Sequence, residues 1–244
     1  RQYRLVASPS GKGGGTRGAV LLLMDDTEKI QAEQTRREFS ANVSHELKTP
    51  LTSISGYAEI IRGGLVKPED VTDFAGKIYD EAARLIALVN DIIKLSRLDE
   101  KQVPAQREAL NLLQLAGQTV RTLEKAAAEK DIDLSVAGEK VVVAGVPSIL
   151  LEVIFNLVDN AIRYTPSGGS VAVKVGVEDN KAFIRVADTG IGIPAQHQGH
   201  IFERFYRVDK SHARESGGTG LGLAIVKRGA MFHGGSVEVE SAPG

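Results

Sequence analysis

The chain has 244 residues, with 30 Lys and Arg against 31 Asp and Glu, a formal net charge of -1, no Cys and no Trp. That length suffices for one large domain or two small ones, and the charge balance supplies no overall basic field for nucleic acid. The lack of cysteine excludes disulfides, thiol catalysis and cysteine-bound zinc and suits a reducing compartment, while the scarcity of aromatics argues against a stacking platform for single strands.

No apolar run is long enough to span a bilayer and no signal peptide is visible, so the chain as given is expected to be soluble. It starts mid-pattern at Arg1, as a fragment of a longer protein would. Tyr3 to Ala7 and Ala19 to Met24 read as strands around a glycine-rich loop from Ser8 to Gly18. Two strands make no stable domain alone. From Thr27 the period turns helical: Phe39, Val43, Leu47, Leu51, Ile54, Ala58 and Ile61 recur at steps of three and four. Pro50 is expected to interrupt and kink this helix just after His45, and Gly63-Gly64 to end it. Pro68 with Glu69 and Asp70 opens a second helix whose stripe is Val71, Phe74, Ile78, Ala82, Leu85, Val89 and Ile92. One such hairpin leaves apolar surface exposed, which a homodimeric four-helix bundle would bury.

Residues 101–104 read as a linker, and an α/β pattern follows. Helices are predicted over Leu110–Lys130, Pro147–Arg163 and Leu221–Met231. Strands are predicted at Ile132–Val136, Lys140–Ala144, Ser170–Glu178, Lys181–Asp188 and Ser236–Glu240. The order implies helices on a mixed sheet. The fold class is thus α+β multidomain: a helical hairpin forming a dimeric four-helix bundle, then an α/β sandwich.

Four clusters carry chemistry. His45 lies two residues, about 200° of helix, from both Val43 and Leu47, so it points away from the apolar stripe. Alone it would pass for a surface histidine. Glu46 beside it, Thr49 one turn on and Pro50 favour an exposed, oriented imidazole nucleophile. Glu152, Asn156, Asn160 and Arg163 share one helix face opposite Leu150, Ile154, Leu157 and Ala161. A solvated polar face is the plain alternative, but two asparagines a turn apart disfavour a helix without a purpose. Asn oxygens suit Mg²⁺, Arg163 can reach a phosphate, and Tyr164 can pack on a purine. Asp188 ends a strand before Gly190 and Gly192, where a carboxylate can accept from an amino group while the backbone nears a ring; a plain β-turn also fits. Gly217 to Gly222, with Gly218, Thr219, Gly220 and Leu221, feeds into a helix N-terminus that favours phosphate. No strand precedes it, so a Rossmann reading fails. His197 and His200 form an HxxH pair without a third ligand, and they, His212 and His233 read as solvated loop histidines.

The block Phe39-Ser-Ala-Asn-Val-Ser-His45-Glu-Leu-Lys-Thr-Pro-Leu-Thr52 closely resembles the phosphoacceptor box of sensor histidine kinases. Asn156-Leu-Val-Asp-Asn160-Ala-Ile-Arg163-Tyr-Thr-Pro166 resembles their asparagine box, with Arg163 where most members have Lys. Asp188-Thr-Gly190-Ile-Gly192 resembles the adenine-recognition box, Ile201 to Arg207 the phenylalanine box, and Gly217 to Gly222 the second glycine box and lid. The resemblance runs from about Asp25 to the end, and Asp25-Asp26-Thr27 resembles the exit of a PAS-type domain. The family's ATP-binding domain normally adds a turn and strand after the segment matching Ser236–Glu240, so an edge strand is expected to be missing.

The resemblance implies Mg-ATP as substrate and cofactor, His45 as phosphoacceptor and a response regulator receiver domain as partner. Glu46 and Thr49 form the pattern associated with phosphatase activity. Asp188 would contact the adenine amino group, Phe202 and Phe205 would anchor the lid, and Arg207 would touch the γ-phosphate or simply form a surface salt bridge. Residues 1–26 then end a PAS-like sensory domain, 27–100 are the dimerisation and phosphotransfer hairpin, and 105–244 the catalytic domain. Any membrane attachment would lie in a missing N-terminal part, with this region on the cytoplasmic side. Two rivals are another ATPase of the superfamily, with no use for a histidine hairpin, and a degenerate signalling module, which should have lost ATP-site residues.

Overall fold

A computed structural model of the chain describes residues 2–10, 18–99, 106–208 and 218–242. The expected linker at 101–104, most of the glycine-rich loop, Gly217 and His212 lie outside these residues.

Strands β1 (Tyr3–Ser10) and β2 (Gly18–Asp25) pair antiparallel, with Tyr3 opposite Asp25. Helix α1 (Thr27–Arg62) follows at once. The interruption expected at Pro50 is absent: α1 runs through a buried Pro50 as one helix. One missing backbone donor is a small loss against the packing of so long a helix on its partner. Gly63 caps it, its N–H donating to the Glu59 carbonyl at 2.8 Å. A single 3₁₀ turn at Pro68–Asp70 leads into α2 (Val71–Asp99), which runs back along α1, with Tyr57 and Phe74 in edge contact.

Next comes a strand that the sequence reading absorbed into a helix. β3 (Glu108–Asn111) pairs antiparallel with β5 (Val142–Gly145), and α3 is Leu112–Glu129. Leu112 and Leu115 match a helical step, but Asn111 marks the true start. Its side chain accepts from the Leu113 N–H at 3.1 Å and the Gln114 N–H at 3.4 Å, an N-cap. The second sheet is mixed, in the order β4 (Asp133–Gly138), β6 (Ser170–Glu178), β7 (Lys181–Asp188), with β4 parallel and β7 antiparallel to β6. α3 and α4 (Pro147–Tyr164) cover one face of it. Val171, Val173 and Val175 alternate into the core against Ile154 and Val158, while Lys174 on the other face is exposed.

α5 is a single turn, Ala195–Gln198, and α6 is Gly222–Phe232. The strand expected at Ser236–Glu240 is not formed. Val237 and Val239 are half-buried between exposed neighbours, as a strand pattern demands, yet no ladder among the described residues includes them. Their segment is tied through Ser241 instead, whose hydroxyl accepts from the Ile193 N–H at 2.9 Å and whose carbonyl accepts from Gln198 Nε2 at 2.7 Å.

One histidine departs from the sequence expectation. His233 is no solvated residue: its Nε2 accepts from the Val146 N–H at 3.0 Å and its Nδ1 donates to the Gly229 carbonyl at 2.8 Å, which joins the end of α6 to the start of α4. His197 Nδ1 meets the Tyr206 hydroxyl at 2.7 Å, and exposed His200 pairs with Glu203 at 2.8 Å.

The C-terminal end of α4 is closed by one cation. Lys130 Nζ donates to the carbonyls of Ile162, Arg163 and Thr165 at 2.8, 2.9 and 2.9 Å. Lys130→Met keeps the stem and removes all three bonds. It should lower unfolding free energy by about 2 kcal/mol in urea titrations; an unchanged midpoint would show that water caps the helix as well.

Candidate functional site

α4 gives the site its floor. Val153, Ile154, Val158, Ala161 and Ile162 are buried in the core, which leaves Glu152, Asn156, Asn160 and Arg163 on the half-buried outer side. The single helix face expected from the sequence is therefore present. Asn156 Nδ2 donates to the Glu152 carbonyl at 2.8 Å and to Glu152 Oε1 at 3.1 Å. That fixes the amide and turns Oδ1 toward Gly222, where a Cβ would lie 2.6 Å away. Arg163 Nη2 pairs with Asp159 at 3.0 Å.

The end of β7 forms one wall. Asp188 Oδ1 accepts from the Gly190 N–H at 2.9 Å, and the Ile191 N–H donates to the Tyr164 carbonyl at 3.2 Å. This turn brings Asp188 and Gly190 to the end of α4, where a Cβ on Gly190 would sit 2.8 Å from the Tyr164 carbonyl. Gly192 has φ 67, which favours glycine. Tyr164 is exposed beside them. The glycine segment forms the other wall: Gly218 approaches Arg163, Gly220 has φ 72 and contacts Phe205, and Leu221 is fully buried. Asn156, Arg163, Tyr164, Asp188, Gly190, Gly218 and Gly222 thus converge from three elements distant in sequence.

The hairpin reaches the same place. His45 is exposed on α1, and Thr49 Oγ1 donates to its carbonyl at 3.2 Å. The bond expected between Glu46 and the His45 ring is not present; neighbouring helix residues face apart. Glu46 Oε2 lies instead 3.9 Å from Arg207 Nη2, and Arg207 also donates to the Gly218 carbonyl. Arg207 is therefore no surface side chain. Burial pushes its guanidinium below the usual range, with Glu46 acting the other way and Arg84 with it.

An apolar seam joins the two units: Leu88 and Leu95 of α2 meet Leu221 and Ile225, flanked by Phe39, Leu47, Ile92, Leu98 and Phe205. Phe205, expected to anchor the lid, meets Phe39 in a tilted ring contact at 5.8 Å from a left-handed backbone, φ 63. Its N–H donates to the Gly220 carbonyl at 2.8 Å. Three polar ties accompany the seam. Lys94 Nζ lies 2.7 Å from Glu152 Oε1, Thr219 Oγ1 donates to Asp91 Oδ2 at 2.7 Å, and Asp99 takes both Arg204 at 2.5 Å and Arg228 at 3.1 Å. Burial raises the Asp91 carboxyl above its ordinary range, opposed by the Thr219 bond and Lys94 and reinforced by Glu152. Nothing in the sequence singled out Asp91, Lys94, Asp99, Arg204 or Arg228, since their partners lie on other elements.

Chemically, the face fits a hard cation held mainly by something other than protein. An oriented amide oxygen and a carboxylate stand one turn apart, and no group of three or more His, Cys, Asp or Glu gathers as a metal cage among the described residues. Mg²⁺ takes one or two protein oxygens and completes its shell with phosphate and water.

Residues 35–101 match the His Kinase A (phospho-acceptor) domain, and residues 145–244 match the Histidine kinase-, DNA gyrase B-, and HSP90-like ATPase family. The chain is 39% identical to the sensor-like histidine kinase SenX3 of Mycolicibacterium smegmatis, over 98% of this chain and 66% of that protein. It is 35% identical to the sensor histidine kinase WalK of Bacillus subtilis, over 93% of this chain and 38% of WalK. Full-length ShkA, solved in complex with AMPPNP, superimposes with a TM-score of 0.61 at 27% identity, covering 85% of this chain and 43% of ShkA. The chain belongs to the sensor histidine kinases of two-component systems, and it spans less than two thirds of the length of the relatives just named. Among the described residues no helix is long and apolar enough to cross a membrane.

Gly222→Ala should displace Asn156 or α6 and lower the melting temperature by several degrees, because its Cβ would meet a fixed side chain. Gly199→Ala, with nothing within 4 Å, is the control and should change little. Equal melting curves for the two variants would mean that the glycine segment yields freely.

Proposed function

We propose that this chain binds Mg-ATP on its catalytic domain, phosphorylates His45, and passes the phosphoryl group to an aspartate of a response-regulator receiver domain. Family membership supports the reading. The observation that carries it is the approach of Arg207, beside the glycine segment, to Glu46, beside exposed His45. The acceptor helix and the nucleotide wall meet within one residue of the acceptor.

Asp188 accepts from the adenine amino group, Gly190 and Gly192 let the backbone near the ring, and Tyr164 packs on it. The N–H groups of Gly218 to Gly222, with Thr219 and Leu221 among them, Arg163 and Asn160 hold the phosphates. Asn156 holds Mg²⁺, and Glu152 orients a water or acts as base; the ion, when bound, neutralises phosphate charge. A lone pair on a His45 ring nitrogen attacks the γ-phosphorus. An N–P bond forms, the bond to the β,γ-bridging oxygen breaks, and ADP leaves. The proton on the other ring nitrogen stays there, and the Glu46 carboxylate offsets the developing charge from nearby without bonding the ring. Catalysis is positioning and charge neutralisation, so the catalytic domain must leave its present seat to reach His45. Glu46 and Thr49 orient water in the reverse, phosphatase, reaction.

Exposed Leu51, Tyr79, Ile86, Val89 and Ile93 on the hairpin support a homodimeric four-helix bundle. We assign 1–26 to the end of a PAS-like sensory domain, 27–100 to the hairpin, 101–104 to a linker and 105–244 to the catalytic domain, on the cytoplasmic side of the membrane in the whole protein.

With γ-labelled ATP and Mg²⁺, the chain should acquire acid-labile label, and His45→Gln should acquire none. Asn156→Ala should label about 100-fold more slowly. ATP hydrolysis that is indifferent to His45→Gln would favour a general ATPase. Bound nucleotide without label would favour a degenerate signalling module.

A further inference from the structure

We propose that Asp91 and Lys94 of α2 form an autoinhibitory latch that fills the charge positions of the metal–phosphate end of Mg-ATP, so that seating of α2 and nucleotide binding exclude one another. The proposal rests on the nucleotide reading above and goes beyond it.

The two residues are three apart on α2 and share a face. Lys94 sets a cation 2.7 Å from Glu152 Oε1, on the helix face that suits Mg²⁺. Asp91 sets a carboxylate oxygen 2.7 Å from Thr219 Oγ1, in the glycine segment that suits phosphate. Lys94 Nζ and Asp91 Oδ1 are 3.9 Å apart, so the latch is an ion pair, cation toward α4 and anion toward the glycines. Mg²⁺ bound to a phosphate would present charges of the same signs in the same order. A second anion cannot share Thr219 with half-buried Asp91, and a second cation cannot share Glu152 with the Lys94 ammonium.

The apolar seam keeps the latch in register. Leu88, one turn before Asp91, and Leu95, next to Lys94, lie against Leu221 and Ile225. Leu221 is itself in the glycine segment, so opening the phosphate wall parts the seam. Asp99 with Arg204 and Arg228 lies further down α2, on residues with no part in the nucleotide site, and can hold as a pivot. Coupling is reciprocal: whatever favours seating of α2 lowers nucleotide affinity, and bound nucleotide frees the catalytic domain to travel to His45.

Lys94→Ala decides the matter, because two effects predict opposite signs. Removing a cation near an anionic ligand should weaken binding if Lys94 only adds to the field. It should tighten binding if Lys94 is the competitor. Titration calorimetry of the whole chain with Mg²⁺-AMPPNP should show Lys94→Ala binding about threefold tighter than the parent, and Asp91→Ala/Lys94→Ala about tenfold tighter. Hydrogen exchange over 88–95 in the parent should speed up when Mg²⁺-AMPPNP is added. Unchanged or weaker affinity in Lys94→Ala, with the parent binding, overturns the latch and leaves the nucleotide reading intact. No binding by any of the three chains overturns both.

Discussion

Everything at the site depends on the two-sidedness of α4. Its apolar side must be buried against β6 and α3 for the catalytic domain to have a core at all. The same rotation leaves Glu152, Asn156, Asn160 and Arg163 no choice of direction. Stability and chemistry are therefore set by one angle about one helix axis. The Lys130 cap holds the far end of the helix at the turn where Tyr164 meets Gly190. His233 holds the near end at Val146. Clamped at both ends, the helix presents its polar face without drifting, as a site made of small side-chain displacements requires.

The junction between hairpin and catalytic domain is built differently. Four buried apolar residues and three polar ties make a contact far smaller than the core. Contacts of this kind between domains of one chain are made to come apart. Under the proposed function the same residues serve twice: Leu221 and Thr219 face α2 here, and they belong to the glycine segment assigned to nucleotide. A bistable arrangement follows from such sharing, with no need for a distant relay.

Patterns confined to one element were readable from the sequence. The polar spacing on α4, the strands Ser170–Glu178 and Lys181–Asp188, and the outward direction of His45 each follow from a helical or strand period alone. What escaped depends on partners. β3 runs straight into α3 at Asn111, and only pairing with β5 separates the two. Ser236–Glu240 has a strand's alternation, yet no ladder among the described residues includes it. Glu46 was assigned to its sequence neighbour and found Arg207, and His233 was assigned to solvent and found Val146. In each case the deciding atom lies tens of residues away along the chain.

The start of α1 has a mechanical meaning. The helix begins one residue after Asp26, with no slack between it and the β1–β2 ladder. Arg4 pairs with Asp26 at 2.7 Å, the Gln2 N–H donates to Thr27 Oγ1 at 2.7 Å, and Asp25 accepts from the Thr27 N–H at 3.0 Å; the Thr27 hydroxyl first and its N–H second pull the exposed Asp25 carboxyl below the ordinary range. An unbroken helix then covers the distance to His45, about 27 Å at a rise of ~1.5 Å per residue. A twist of the ladder meets no break in the helix before His45. It arrives at the acceptor as a rotation of the whole rod, much as a key turns a lock from its bow.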